Sequence, residues 1–260
     1  MCFGRYLNWT MRSVGTQPFG PLELSTRAPV LIPRPETEHW TIQLSEHVRP
    51  SPQNPVRLLD LCTGSGCIPL LLCRLWPRGS VRALGVDIGA EAVQLATENA
   101  TITGFGVSSE HLASQGAHRP LARNTFRPLL ADIRDPAFAR IPDLRPPFDV
   151  ITSNPPYIPK RDYDRLPAEV RQYEDRRALL GDPDPASRDD EHGDGLTFYR
   201  AIAQLVARDG LLARHGVLAV EVGKGQAHDV QRILQDHGRL TKTQIWQDPW
   251  QVDRAVVATR

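Results

Sequence analysis

The 260-residue chain reads as an α/β protein: an open, mostly parallel sheet of seven strands with helices on both faces. Three observations point there. Short apolar runs alternate with longer stretches of helical periodicity, a glycine-rich turn follows one of the first such runs, and acidic residues close the next two. No internal repeat and no apolar run of bilayer length interrupts the pattern; the stretch that starts at Ile68 meets Arg74 well short of a span.

In chain order, Pro33 opens a turn and then a helix to Val48. Glu36 and Glu38 fall in its first turn, where they suit the helix dipole. Trp40, Leu44 and Val48 share one face by fourfold spacing. Val56–Leu61 is the first buried strand and 68–76 the helix behind it. Val81–Asp87 is the second strand, followed by an amphipathic helix over 90–103 with Ala92, Val93, Leu95 and Ala96 as its apolar residues. The third strand is expected at 127–131 and the fourth at Phe148–Ser153. A helix over 197–209, a strand over 216–222 and a helix over 226–237 follow. The last strands, 242–246 and 255–259, form a hairpin turning near Asp248-Pro249.

Three segments break the rhythm. Residues 104–124 are polar and read as a surface excursion, and 159–177 are charged. Residues 181–195 carry Asp182, Asp184, Asp189, Asp190, Glu191 and Asp194, an acidic loop expected to move. The expected organisation is an N-terminal segment with a lead-in helix over 1–50 and one catalytic domain over 51–260.

A formal charge of +1 argues against a protein that holds long stretches of nucleic acid, which shows a basic excess. Cys2, Cys62, Cys67 and Cys73 have neither the paired spacing of a zinc site nor the number of a disulfide framework. They read as reduced core and loop residues, and no metal is expected. The first 22 residues hold Arg5 and Arg12 and no acid, a composition compatible with the remnant of an organelle-targeting segment.

Three motifs carry the chemistry. Asp60-Leu61-Cys62-Thr63-Gly64-Ser65-Gly66 follows a strand and opens a helix. Its glycines let the backbone turn tightly and approach a ligand, and the helix terminus offers unpaired N–H groups. A dinucleotide turn would place a small residue where Pro69 stands, so Asp60 with two spaced glycines reads as an S-adenosylmethionine loop. A tight turn with no ligand is the plain alternative. Asp87 closes the next strand, 21 residues after Gly66, where a carboxylate can accept both ribose hydroxyls of a nucleoside; it can equally cap the helix that follows. Asp132, with Ile133 beside it, closes the third strand, where the adenine edge is expected in such folds; a helix cap or turn residue is its plain alternative.

The motif Asn154-Pro155-Pro156-Tyr157 ends the fourth strand and sets the reaction class. A planar NH2 group is a poor nucleophile because its lone pair is delocalised. The Asn154 side-chain oxygen and the Pro155 carbonyl can each accept one of its N–H bonds and so aim the nitrogen at a methyl donor. Pro155 and Pro156 stiffen the backbone that presents both acceptors. Tyr157 can lay its ring against the flat amide or base. No strong base is required if transfer precedes proton loss, and the gain is mainly orientation.

These residues resemble the HemK/PrmC family of glutamine N5-methyltransferases, which act on the Gly-Gly-Gln motif of peptide-chain release factors. Leu31-Ile32-Pro33-Arg34-Pro35-Glu36-Thr37-Glu38 resembles that family's signature ahead of the catalytic domain. The resemblance continues through Gly193-Asp194-Gly195-Leu196, Phe198-Tyr199-Arg200, Glu221-Val222-Gly223 with Gln226, and Asp253-Arg254, and covers about residues 15–260. It implies the class I S-adenosylmethionine-dependent methyltransferase fold, which is Rossmann-like. It assigns the cofactor to Asp60, the 62–66 loop, Asp87, Asp132, Ile133 and Asn154, and the glutamine to Asn154–Tyr157. A release factor is the implied partner of a monomeric enzyme with no membrane and no stable nucleic acid.

Departures from the family's pattern are also present. The family begins with a helical domain, and this chain starts almost at the junction, which bears on release-factor docking. Cys62 replaces a glycine, and 104–124 and 181–192 are longer than usual. Residues 15–20 and a composition of 28 Arg to 3 Lys resemble a fungal mitochondrial member, so a mitochondrial location is expected, with the cytoplasm as the alternative.

The main rival is a nucleic-acid amino-methyltransferase acting on adenine N6, cytosine N4 or guanine N2. It uses the same Asn-Pro-Pro-aromatic logic on a flipped base, but calls for a basic face or a target-recognition domain. A non-catalytic scaffold would bind the cofactor without turnover, and lysine suits a two-acceptor site less well.

Overall fold

A computed structural model describes residues 15–106, 123–182, 193–208 and 210–260. Cys2, most of the excursion over 104–124 and most of the acidic loop over 181–195 lie outside the described residues. The chain opens with an antiparallel hairpin, β1 (Thr16–Phe19) and β2 (Leu22–Ser25). Gly20 turns it at φ 56°, a backbone region that favours glycine. Phe19, Leu22 and Leu24 are buried in the same core cluster as Ile68, Leu71 and Leu72. The sequence reading holds no strand here, because four-residue runs are too short for alternation to show.

Helix α1 (Pro35–His47) follows with proline at its first position and Glu36 and Glu38 in its first turn. Trp40 and Leu44 are buried and Val48 packs beside them, on the face that the spacing indicates. The doubly wound body then runs β3 (Val56–Leu61), α2 (Cys67–Leu75), β4 (Val81–Asp87), α3 (Ala90–Ile102), β5 (Thr125–Leu130) and β6 (Phe148–Ser153). Three short helices, α4 (Lys160–Tyr163), α5 (Ala168–Tyr173) and α6 (Arg176–Leu179), order the charged segment after β6. Helix α7 (Thr197–Arg208), β7 (Leu212–Glu221), α8 (Ala227–Asp236), β8 (Lys242–Gln247) and β9 (Asp253–Thr259) complete the described chain.

The seven strands run in the order β5-β4-β3-β6-β7-β9-β8. The first five neighbours are parallel, while β9 and then β8 pair antiparallel. Strand β5 begins two residues earlier than expected, at Thr125, which brings in the wholly buried Phe126, and it tolerates Pro128 because it is an edge strand. Strand β7 begins four residues early and crosses an irregularity near Gly216, with His215 at φ 65°.

Successive residues of a strand face opposite layers. Leu59, Leu61, Ile151 and Val220 join Tyr199, Ile202 and Val230 from α7 and α8 in one core. Leu58, Val150 and Ala219 join Trp40, Leu70 and the hairpin in the other. The chain winds outward from β3 through β4 to β5, then returns to the opposite side of β3 at β6. That reversal leaves a crevice at the carboxyl ends of β3 and β6, the place where doubly wound sheets bind ligands.

Candidate active site

Strand β3 ends at Leu61 directly beside Ser153 of β6, so the 62–66 loop and Asn154–Tyr157 leave neighbouring strand ends. The loop is held from below. Asp60 is fully buried and accepts hydroxyl hydrogens from Thr63 and Thr152, both at 2.6 Å. Burial pushes its carboxyl up to about 7, against the pull of those two hydroxyls. Cys62 stands at φ 58°, a backbone region unfavourable for a residue with a Cβ, at the position where the sequence reading notes a missing glycine. Burial, with Asp87 and Asp60 nearby, drives its thiol far from ionisation. Ser65 is buried and its hydroxyl has no protein partner.

Asp87 works in two directions. One carboxylate oxygen accepts the Gly64 N–H at 2.8 Å and the other the Gly89 N–H at 2.9 Å, so it braces the loop and the entry to α3 together. Burial raises its pKa despite these two donors. Asp132 accepts the Arg134 N–H at 2.8 Å and pairs with the Arg134 guanidinium, which in turn lies over the Phe198 ring at 5.4 Å.

These parts surround a cavity of ≈ 400 Å³, within the usual size of a small-molecule site. Cys62, Gly64, Asp87, Asp132, Ile133, Asn154 and Pro156 line it. Asp60, Thr63, Ser65, Gly66, Pro155 and Tyr157 do not reach its wall; Asp60 and Thr63 support the loop from behind. Val30 and Leu31, Glu91, Phe198 and the 175–178 stretch also line it and escaped the sequence reading. For Val30, Leu31 and Phe198 the sequence signal is their position within or beside the Leu31–Glu38 and Phe198–Arg200 motifs; Glu91 and 175–178 belong to no motif.

The glutamine side is assembled from afar. Asn154 is half-buried, and its amide nitrogen donates to the Thr37 hydroxyl at 3.3 Å. Thr37 in turn donates to the buried Glu221 carboxylate at 2.6 Å, and Trp40 Nε1 donates to the same oxygen at 2.8 Å. Pro155 and Pro156 are buried. The Tyr157 carbonyl accepts from Gln226 Nε2 at 3.0 Å, while Gln226 Oε1 accepts the Gly223 N–H at 3.0 Å. A Cβ on Gly195, which sits at φ 75°, would collide with that same Tyr157 carbonyl. Arg34 grips Glu174 through both carboxylate oxygens, at 2.5 and 2.6 Å, and ties α1 to the segment after the motif.

The residues present fit an adenosylmethionine cofactor. A Cβ added at Gly64, itself at φ 55°, would meet no protein atom within 4 Å, so the loop leaves open space above it at the cavity wall. The Asp87 carboxylate stands at the same wall. This is the class I S-adenosylmethionine-dependent methyltransferase fold, and a methyltransferase from Pyrococcus furiosus shares it with a TM-score of 0.56 at 12% identity, over 98% of this chain and 94% of that one.

The sequence comparisons narrow the class. The chain is 30% identical over 244 residues to the release factor glutamine methyltransferase of Thermodesulfovibrio yellowstonii and 35% over 243 residues to that of Geobacter sulfurreducens. Each alignment takes in 94% of this chain, and 74% and 70% of the relatives. The protein of the same name from Rhodospirillum rubrum is 36% identical over 249 residues, 96% of this chain. The chain spans 64% of that relative's length. No protein-family model matches. The chain belongs to the release factor glutamine methyltransferase family.

Proposed function

We propose that this chain transfers a methyl group from S-adenosylmethionine to the side-chain amide nitrogen of the glutamine in the Gly-Gly-Gln motif of a peptide-chain release factor. The observation that carries the reading is Asn154 on the cavity wall, beside the 62–66 loop, with its amide nitrogen turned toward Thr37. Its oxygen is then free to accept from a planar NH2.

The 62–66 loop and Asp87 would hold the nucleoside, with Asp132 and Ile133 beside its base. The cofactor supplies an electrophilic sulfonium methyl. The chain's own residues orient the nucleophile. Asn154 Oδ1 accepts one amide hydrogen at the cavity wall, and the Pro155 carbonyl and Tyr157 ring, which stand behind that wall, would take the second hydrogen and the amide plane once the glutamine enters beside them. Two acceptors in that plane leave the nitrogen pair perpendicular to it, directed at the methyl. With the cofactor bound, that pair would take the methyl while the S–C bonding electrons stay with sulfur, and the nitrogen would then release one of its protons to solvent. Burial and the nearby Glu221 carboxylate keep Tyr157 protonated, so it acts as an apolar plate and not as a base.

The domain reading treats 51–260 as the catalytic body and the preceding segment as its cover. It acts as a monomer, and the arginine-rich composition supports a mitochondrial setting. No helix among the described residues is long and apolar enough to cross a membrane.

The test is transfer of labelled methyl to a purified mitochondrial-type release factor beside its Gly-Gly-Gln glutamine-to-alanine variant, with DNA and RNA as parallel acceptors. Label on the wild-type factor that vanishes with the variant supports the amide reading. Label on nucleic acid alone would transfer the case to the base-methylating rival.

A further inference from the structure

The Leu31–Glu38 motif stands upstream of the sheet, and apart from Leu31 at the cavity wall the roles given so far to the cofactor loop and the Asn154 motif do not use it. Yet α1 places the Thr37 hydroxyl between Asn154 and Glu221, residues 117 and 184 positions away from it along the chain. We propose that Thr37 and Glu221 are a positioning pair that selects which edge of the Asn154 amide faces the substrate. The inference rests on the amide-methylation reading and deepens it.

One Glu221 oxygen receives both the Thr37 hydroxyl and the Trp40 indole N–H. Two donors fill both lone pairs of that oxygen, so it carries no proton whatever the state of its twin. A threonine hydroxyl has one hydrogen, and Thr37 spends it on Glu221. Toward Asn154 the hydroxyl presents only a lone pair. An amide with its NH2 edge on Thr37 is satisfied; the flipped amide would set oxygen against oxygen. Glu221 is buried and held by the indole as well, so Thr37 cannot turn its hydrogen around without leaving a buried carboxylate oxygen short of a donor. The carbonyl edge of Asn154 therefore faces the cavity, as the acceptor that a substrate NH2 requires. In the flipped state an NH2 would meet an NH2.

The experiment compares Thr37→Val with Thr37→Ser and the wild type in release-factor methylation. S-adenosylhomocysteine affinity and melting temperature are measured on the same samples. Thr37→Val keeps the shape and removes the oxygen. It should lower kcat/KM for the release factor about tenfold, which is 1.36 kcal/mol, while cofactor affinity stays within about twofold. Thr37→Ser restores at least half of the wild-type rate. Thr37→Ala removes the same oxygen by truncation and should reproduce the loss if Thr37→Val melts early. Wild-type rates in both Thr37→Val and Thr37→Ala would overturn the pair and leave the amide reading standing. Equal losses in the valine and serine variants, accompanied by lost cofactor affinity, would also overturn it by showing a purely structural role. A wild type that methylates no glutamine would overturn both.

Discussion

On the β3–β4–β5 side of the crevice, most of the polar side chains have a partner close along the chain, and one link, from Thr152 of β6 to Asp60, spans 92 residues. Asp60 binds Thr63 three residues on, Asp132 binds Arg134 two residues on, and Asp87 reaches Gly64 across 23. On the β6–β7 side the separations are 69 for Tyr157 with Gln226, 117 for Asn154 with Thr37, 140 for Arg34 with Glu174 and 184 for Thr37 with Glu221. The cofactor half is built largely into the β3–β4 strand–loop–helix units, with Thr152 of β6 as its one long-range brace on Asp60. The glutamine half exists only once α1, β6 and β7 have met. A fold family can thus keep one half nearly constant and rebuild the other by changing what packs over β6 and β7.

Substitutions can break or sharpen this contrast. Asn154→Ala removes the acceptor itself and should lower methyl-transfer kcat by about 10²–10³, the usual scale for one preorganised group at a reacting centre. Single-turnover transfer to the release factor measures it, and a loss below tenfold would move the chemistry away from Asn154.

Arg34→Met strands the buried Glu174 carboxyl, whose side chain is only 3% exposed and whose pKa burial already raises in spite of Arg34. Breaking a largely buried pair from one side should cost about 2 kcal/mol, less than for a fully enclosed pair because Arg34 reaches solvent. Urea denaturation reads that loss. An unchanged midpoint would mean that α1 is held to the glutamine half by other means.

Asp60 tests the cofactor half. Its carboxyl titrates near about 7 when folded, chiefly because it is buried, and near about 3.9 when unfolded. Between those values the folded chain retains a proton that the unfolded chain has released. Stability from this group is therefore highest below about pH 4 and falls as pH rises toward about 7, by up to ~1.4 kcal/mol per unit. In Asp60→Asn this slope should vanish, so the stability of the variant relative to wild type should climb with pH across that window. A difference that stays flat with pH would mean that Asp60 remains ionised.

The same contrast governs what could be read from the sequence. The strand–helix alternation, the 62–66 loop, Asp87 and the Asn154–Tyr157 motif are contiguous signals, and the sheet is built around them as expected. Even the missing glycine at Cys62 marks a real backbone demand, a φ of 58°. The β1–β2 hairpin escaped because its strands are four residues long and nothing local links its apolar residues to α2, which they meet only in the folded core. Thr37 and Glu221 escaped as a pair for a different reason. Each is an ordinary residue in its own motif, and no local spacing relates positions 184 apart. Gly195 and Gln226 sat in recognised motifs, but their shared task, holding the Tyr157 carbonyl, appears only when α8 and the 193–196 turn converge on it.

The most direct test of the division into two halves is S-adenosylhomocysteine binding by calorimetry to Asp87→Ala and Asn154→Ala, side by side. Asp87→Ala loses the carboxylate that braces Gly64 and faces the cavity, and its affinity should fall about tenfold or more. Asn154→Ala, although the resemblance also places Asn154 beside the cofactor, should bind within about threefold of wild type, because the Asp87 carboxylate and the 62–66 loop remain, while failing to transfer a methyl group. If Asn154→Ala loses cofactor affinity and Asp87→Ala keeps it, the assignment of the two halves is contradicted.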